Sequence, residues 1–583
     1  MERRTVTLTN REIARIFDNI ADMLEIKGEI VHRVLSYRRA AEAIRETPQD
    51  LQTLAAEGQL QTIPGIGKTL AEKIEELLER GTVDLYERLK AEIPLGVLDI
   101  LHISGVGPKR AKRLWQELGI TSIEQLEEAA KAGKLRAMSG MGAKSEQRIL
   151  EGIEALRRQQ TGRTPLGIAY PLAQEILEYL LELDEAKFGS VAGSIRRARP
   201  TIGDIDLLIA SDDPDPIMER FVTMSNVAQV LDHGPSKSSV QLHNGMQVDL
   251  RVLPEARWGT ALHHFTGSQA HNIHIRELFL KRGLSLNEFS LTRVESGEEI
   301  LCATEEEVFS HLGMPYIPPE IREDWGEIEA ALEGRLPKLI TLEDIHADLH
   351  MHTTWSDGTL SIEQMAQAAY ERGRKFIVIC DHSYSLGVAN GLTVERLMAQ
   401  QEEIRRVDAK MNGKIRVFHG TEMEINADGT LDFPDEVLEK LDFVVASLHM
   451  SLRQPREQIT ARLLNAINNP HVDLIGHPRG QLIPNREPAD LDMDAVFEAA
   501  KASGIALEIN ANPHRLDLEA QYARRAVEMG IPLAINTDAH RASEMDLLFY
   551  GVMTARRGWV EAPSVLNTWP LERFLEWTHQ RGR

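Results

Sequence analysis

Asp204 and Asp206 stand one residue apart in GDIDLLIA (203–210), where a glycine followed by β-branched and leucine residues predicts a strand. Period two puts both carboxylates on one face. Carboxylates held side by side repel unless cations lie between them, so the spacing asks for a pair of divalent metals. A third comes from GMQVDLRVL (245–253), where Met246, Val248, Leu250 and Val252 alternate with Gln247, Asp249 and Arg251. Asp249 is therefore the polar-face residue of a half-buried strand. Just upstream, GSIRRARPTIGDID (193–206) sets Ser194, Arg196 and Arg197 in a glycine-led turn. These groups suit the phosphates of a triphosphate that carries the metals in. Arginines and aspartates then need not cancel, because nucleotide and metals lie between them.

A second set of chemical side chains runs through the carboxy-terminal third. In HADLHMHTTWSDG (346–358), His350 and His352 share one face of a predicted strand, with Asp357 close behind. Further on come His382 in CDHS, Glu422 in GTEMEI, His449 in SLHMS, His477 in GHP, and Asp538 with His540 in NTDAH. Glu424 competes with Glu422, which is preferred for its place directly after Gly-Thr. Short apolar runs precede nearly all of them (FIVIC, IRVFH, FVVAS, VDLIG, PLAIN), and helical stretches separate them. That is repeated βα with polar residues at strand carboxyl ends, where barrel enzymes keep their chemistry. One histidine at such a place is usually a satisfied buried group. Imidazoles and carboxylates at successive strand ends suit zinc, manganese or iron.

The elements ahead of these sites repeat. PGIGKTLAEKI (64–74), SGVGPKRAKRL (104–114) and SGMGAKSEQRI (139–149) each open an apolar-periodic helix with Gly-x-Gly. The glycine pairs are Gly65 and Gly67, Gly105 and Gly107, and Gly140 and Gly142. Lys68, Lys109 and Lys144 follow closely, and Lys73, Arg113 and Arg148 lie six positions after the second glycine. Backbone N–H groups at such a helix start can hold a phosphate, and the cations add attraction. Three copies point to helix-hairpin-helix units that grip the DNA backbone without reading bases. Residues 11–45 read as amphipathic helices, with Arg33, Tyr37 and Arg38 lining one side.

Composition bounds the rest. At 583 residues the chain exceeds one hydrophobic core, so three or four domains are expected. A net charge of −23 argues against a nucleic-acid partner, but residues 1–160 hold 25 Lys and Arg against 25 Asp and Glu, so the acidity lies elsewhere. Two cysteines, Cys302 and Cys380, offer no disulfide framework. The opening MERRTVTLTNREIARIF lacks the apolar centre of a secretory leader, and no run approaches a membrane span, so a cytoplasmic location is expected.

GSIRRARPTIGDID with VDLR, then HHFTGSQAHNIHIR (263–276) and LSLNEFSL (284–291), resembles the family X DNA polymerases over residues 1–320, ending at YIPPEIRE (316–323). The resemblance implies two-metal nucleotidyl transfer, with magnesium or manganese held by Asp204, Asp206 and Asp249. It also implies Ser194, Arg197 and Gly203 around the triphosphate, helped by Arg163, and Phe265, Gly267 and Asn272 around the incoming sugar and base. His264 stands where vertebrate repair polymerases carry a tyrosine, and Gln247 replaces an arginine beside the third aspartate. Lys73 falls at the family's Schiff-base lysine, within a thinner basic cluster. The histidine-rich third resembles the PHP (polymerase and histidinol phosphatase) domain, a distorted seven-stranded barrel with up to three metals. Its nine ligand positions are filled by His350, His352, Asp357, His382, Glu422, His449, His477, Asp538 and His540.

The expected chain is thus a multidomain α/β and α+β protein. A lyase-like helical domain spans 1–90, a fingers-like region 91–160, a nucleotidyltransferase palm 161–257, a thumb 258–319, a linker 320–345 and the PHP barrel 346–583. The expected activity is gap-filling repair on gapped or primer–template DNA with deoxynucleoside triphosphates, by a monomer. The attached metal phosphoesterase is expected to cut a primer 3′ end or the backbone at an abasic site. Two alternatives differ in class: a PHP phosphatase with a degenerate polymerase tether, against which the intact aspartates argue, and a non-enzymatic DNA-end scaffold.

Overall fold

The computed structural model describes residues 10–580 except 48–50, 57, 64, 102, 104–105 and 139–140. The chain divides into two units, Met1–Gly162 and Arg163–Arg583. Among the described residues, no helix is long and apolar enough to cross a membrane.

The first unit is helical, and its sequence repeat is a backbone repeat. Ile66, Val106 and Met141 donate their N–H to the carbonyls three residues back, at 3.0, 3.0 and 3.1 Å. The next glycines, Gly67, Gly107 and Gly142, accept from the third and fourth residues of the helices Lys68–Arg80, Pro108–Leu118 and Ala143–Thr161. Ile66, Val106 and Met141 are themselves buried, which pins each turn to the core. Gly105 and Gly140 lie outside the described residues.

The second unit opens with a five-stranded sheet: β1 (Phe188–Val191), β2 (Ile205–Ala210), β3 (Val227–His233), β4 (Lys237–Leu242) and β5 (Gln247–Leu253), in the order β1-β2-β5-β4-β3. Alternation along β2 divides it cleanly. Ile205, Leu207 and Ile209 enter a core with Ile176 and Leu177 of the helix Leu166–Leu181, whereas Leu208 and Ala210 pack with Trp258 and Leu262 on the other face. Asp206 shares that second face. The helices Trp258–Thr266 and Gln269–Lys281 and a small sheet follow, closed by the helix Glu305–Ser310 with its Thr304–Glu307 capping box.

Residues 320–345, expected as a charged, helix-prone linker, include packed interior positions. Arg322 and Glu327 are fully buried, and Ile321, Ile328 and Ala331 enter an apolar core with Phe279 and Phe309. The charges are there to pair inside: Arg322 donates to Glu305, and Glu327 accepts from the Asp324 and Trp325 amides.

The barrel holds seven parallel strands in sequence order: β6 (Ala347–Met351), β7 (Phe376–Ile379), β8 (Arg416–Glu424), β9 (Phe443–Ser447), β10 (Leu474–Ile475), β11 (Ala506–Asn510) and β12 (Leu533–Asn536). Hydrogen bonds from His352 N to Ala539 O and from Asp538 N to His350 O bring its last strand end onto the first. The five-stranded sheet and the barrel share apolar packing. Leu516 and Tyr550 lie in the same cluster as Ile176 and Leu207, and the Tyr170 ring centroid is 5.1 Å from that of Phe549. Each fully buried side chain of this size contributes about 1.5–3 kcal/mol.

Candidate active sites

Against the face of the five-stranded sheet that carries Asp206 lies a cavity of about 710 Å³. Asp204 and Asp206 line it, and parallel register sets Asp249 of β5 beside Asp206. Burial first, then the charges of Asp204 and Asp249, push the Asp206 carboxyl up to about 7. A group so crowded with like charge is a ready cation ligand. Gln247 donates to both oxygens of Asp249 at 3.1 Å. Gly193 must be glycine: its φ is +57°, and a Cβ there would meet Asp206 Oδ2 at 2.0 Å.

Ser194, Arg197, Gly203 and Arg163 line the same cavity, as do His264, Phe265, Gly267 and Asn272. Arg197 Nε donates to Glu323 at 3.1 Å, and its Nη1 donates to Thr266 O. Arg163 is held by Thr201 Oγ1 at 2.9 Å. Asn272 Nδ2 donates to His264 O at 2.7 Å, fixing the corner that bears the imidazole. His264 Nδ1 lies 2.9 Å from Arg276 Nη2, and burial together with that guanidinium holds the ring below its usual range, hence neutral. Arg251 sits 4.1 Å over the Phe265 ring.

Arg196 departs from its expected place on phosphate. It turns away from the cavity to bind Glu305 in bidentate fashion at 3.0 and 2.6 Å. Adjacent residues in a helical turn point about 100° apart, so Arg196 and Arg197 cannot both face one ligand.

In the barrel, five of the nine expected ligand residues surround a sixth, Glu422. Its Oε2 lies 2.9 Å from His382 Nδ1, 3.4 Å from His350 Nε2 and 3.5 Å from His352 Nε2, and its Oε1 lies 2.9 Å from His477 Nε2 and 3.2 Å from His449 Nε2. Asp538 Oδ1 is 3.0 Å from His352 Nε2, and Asp357 Oδ1 is 3.3 Å from His540 Nε2. Ligand atoms of eight of the nine form three overlapping groups, each close enough to share an ion, and His477 stands outside them against Glu422. The donors fit metal rather than one another: His350 Nε2, His352 Nε2 and Glu422 Oε2 are buried and make no hydrogen bond. Burying such atoms unmatched is costly, and a cation among them removes the cost. Glu424 stands behind, accepting from His449 Nδ1 at 2.7 Å. Glu508 of β11, unassigned from sequence, does the same for His350 Nδ1 at 2.8 Å. These outer carboxylates orient each ring toward the centre.

In the first unit a cavity of about 660 Å³ is lined by Arg33, Gly65, Gly67, Lys68 and Lys73. Arg39 and Arg88 join them, so the basic cluster around Lys73 is richer than sequence spacing suggests. Tyr37 meets this cavity but is otherwise buried, its ring 5.6 Å from Phe17. Arg38 faces the helix Asn10–Lys27 instead, where Asp22 and Glu25 hold it at 3.0 and 2.5 Å. Around the third turn, Lys144 and Arg148 line a further cavity with Lys131 and Arg136. Gly107 caps the helix that carries Lys109.

Family models match four stretches: a helix-hairpin-helix domain over 8–83, a SAM-like helix-hairpin-helix tandem over 97–155, a DNA polymerase beta thumb over 261–323 and a PHP domain over 348–512. The chain is 40% identical to the DNA polymerase/3′-5′ exonuclease PolX of Bacillus subtilis (strain 168), over 97% of this chain and 99% of that one. It is 26% identical to DNA polymerase lambda of Rattus norvegicus over 54% of this chain and 56% of that one. A Thermoanaerobacter sp. (strain X514) protein named "Probable phosphatase" is 31% identical over 38% of this chain and 89% of its own.

Proposed function

Because the chain belongs to the family X DNA polymerases that carry a PHP domain, we propose that it fills short gaps in damaged DNA and trims primer 3′ ends. It is a DNA polymerase with an associated 3′–5′ exonuclease. The observation that carries the gap-filling reading is one cavity lined together by carboxylates, arginines, a histidine and a phenylalanine. Asp204, Asp206 and Asp249 would hold two divalent ions, which would supply Lewis acidity at the primer 3′-hydroxyl and the leaving phosphates. Ser194 and Arg197 take the triphosphate, with Arg163 beside it. His264, Phe265, Gly267 and Asn272 form the wall for sugar and base. The cavity around Lys68 and Lys73 supports a contact with the phosphate on the 5′ side of the gap, and the glycine-led turns support backbone grip elsewhere.

In the barrel, His350, His352, Asp357, His382, Glu422, His449, His477, Asp538 and His540 would hold up to three ions of zinc, manganese or iron. When bound, these would supply a water acidic enough to attack a phosphodiester. Glu508 and Glu424 keep His350 and His449 aimed inward. Cleavage of the backbone at an abasic site would use the same centre.

A duplex with a one-nucleotide gap tests both halves. With deoxynucleotides and magnesium or manganese the gap fills; without nucleotides the 3′ end shortens. Hydrolysis of small phosphomonoesters with no extension under either metal would favour the phosphatase alternative, and binding without any turnover would favour a scaffold.

A further inference from the structure

The arginine that faces the triphosphate cavity is held from the barrel. Arg557 is the last residue of the helix Leu548–Arg557, which follows the ligands Asp538 and His540 after a single 3₁₀ stretch, Ala542–Leu547. Its Nη1 donates to Arg197 O at 2.5 Å and to Glu323 Oε1 at 2.9 Å. The same Glu323 oxygen accepts from Arg197 Nε at 3.1 Å. All three side chains are at least 87% buried: Arg197 is 13% exposed, Glu323 8% and Arg557 4%. One carboxylate therefore joins an arginine of the barrel to an arginine of the polymerase cavity, and the barrel arginine also grips the backbone of its counterpart.

We propose that Arg557, through Glu323, is a positioning residue for nucleotide incorporation: it fixes the Arg197 guanidinium where a triphosphate is received. Arg197 has two of its nitrogens committed, Nε to Glu323 and Nη1 to Thr266 O. A fork anchored at two points offers its outer edge in one orientation, which is what a bidentate phosphate contact needs. Glu323 alone would not hold that orientation, since its carboxylate has neighbours of like appeal, with Arg199 Nη1 at 3.7 Å. Arg557 removes the ambiguity by drawing on both Glu323 and the Arg197 carbonyl. This rests on the reading that Arg197 contacts the triphosphate.

The test is a double-mutant cycle on the full chain, with primer extension and 3′-end degradation measured on every variant. Arg197→Ala should raise the nucleotide KM. Arg557→Ala should raise it about ten- to a hundredfold, the scale of a misplaced positioning group, while degradation stays within about twofold of wild type. The pair together should be no worse than Arg197→Ala alone, because both act through one guanidinium. Arg557→Lys, which keeps the charge and can donate to two acceptors but reaches less far, should recover only part of the loss. An unchanged KM in Arg557→Ala beside a raised one in Arg197→Ala, or fully additive effects, overturns the proposal. An unchanged KM in Arg197→Ala instead overturns the reading of Arg197 itself. If Arg557→Ala also loses degradation, Glu323→Gln, which keeps the shape of the bridge and removes its charge, decides by the same KM criterion.

Discussion

At the scale of single residues, charge crowding separates the two chemistries. Asp206 holds its proton up to about 7 because burial and two neighbouring carboxylates oppose ionisation. A divalent ion reverses that balance, and removing a neighbour also removes a ligand. Asp249→Ala should therefore lower nucleotide addition by about 10²–10³-fold or more, with 3′-end degradation and DNA binding near wild type. Single-turnover extension measures it, and a near-normal rate would place the metals elsewhere. His264 gives a subtler handle. Its ring is neutral and held by Arg276, and a phenol at that position is longer and cannot accept the same in-plane bond. His264→Tyr should crowd the sugar and raise discrimination against ribonucleotides by about tenfold, read as the ratio of kcat/KM for deoxy- and ribonucleotides; an unchanged ratio would move selection to Phe265. The residues brought together here were legible because period two assigns a face to each aspartate, and strand ends collect the histidines. Glu508, Arg39, Arg88 and Arg276 were not. Periodicity assigns a face, whereas their roles depend on which side chain of a distant element lies opposite.

At the scale of elements, the connection between the sheet and the small sheet beyond it is electrostatic and buried. Arg196 and Arg322 converge on Glu305, and Arg322 is wholly buried over Phe309 and Tyr316. Burial alone would raise the Glu305 carboxyl, but the two arginines outweigh it and bring it down to about 2, from 4.5. The folded state thus binds this proton more weakly than the unfolded chain. Its contribution, on the order of 3 kcal/mol, is complete above pH 4.5 and fades as pH falls toward 2. Glu305→Gln should cost about 3–5 kcal/mol at pH 7, by stranding two buried arginines. Chemical denaturation should show the gap from wild type shrinking by about 2 kcal/mol at pH 3, and an equal gap at both pH values would mean that Glu305 is not charged in the fold. This network also explains why residues 320–345 read as a linker. Glu, Asp and Arg at that density look solvated in a single sequence, and only the partner Glu305, well upstream, shows that they are interior.

At the scale of the whole molecule, the polymerase sheet and the barrel are built as one unit while the metal ligands proposed for them form two separate sets. Three aspartates are proposed for one centre, and six histidines with three acids for the other, with no residue in common. The shared elements are structural: Tyr170 against Phe549, Leu516 and Tyr550 in the core of the sheet, and Arg557 against Glu323. Loss of a barrel ligand should therefore stop one chemistry and spare the other. His350→Ala removes a ring from β6, far along the chain from the shared helix, and should abolish 3′-end degradation while nucleotide addition continues at the wild-type rate. Asp538→Ala removes a carboxylate from the segment that leads into Leu548–Arg557, so it should abolish degradation too, and addition reports whether the helix keeps its place. The assay is a labelled primer–template incubated with manganese, with and without nucleotides, at pH 7.5 and at pH 5.5. Imidazole ligands must be neutral to bind metal, so wild-type degradation should fall at the lower pH. Wild-type degradation in both variants would place the nuclease outside this cluster. Loss of addition in His350→Ala, in a chain that still binds gapped DNA, would show that the barrel's metal centre itself, rather than its packing, supports the polymerase.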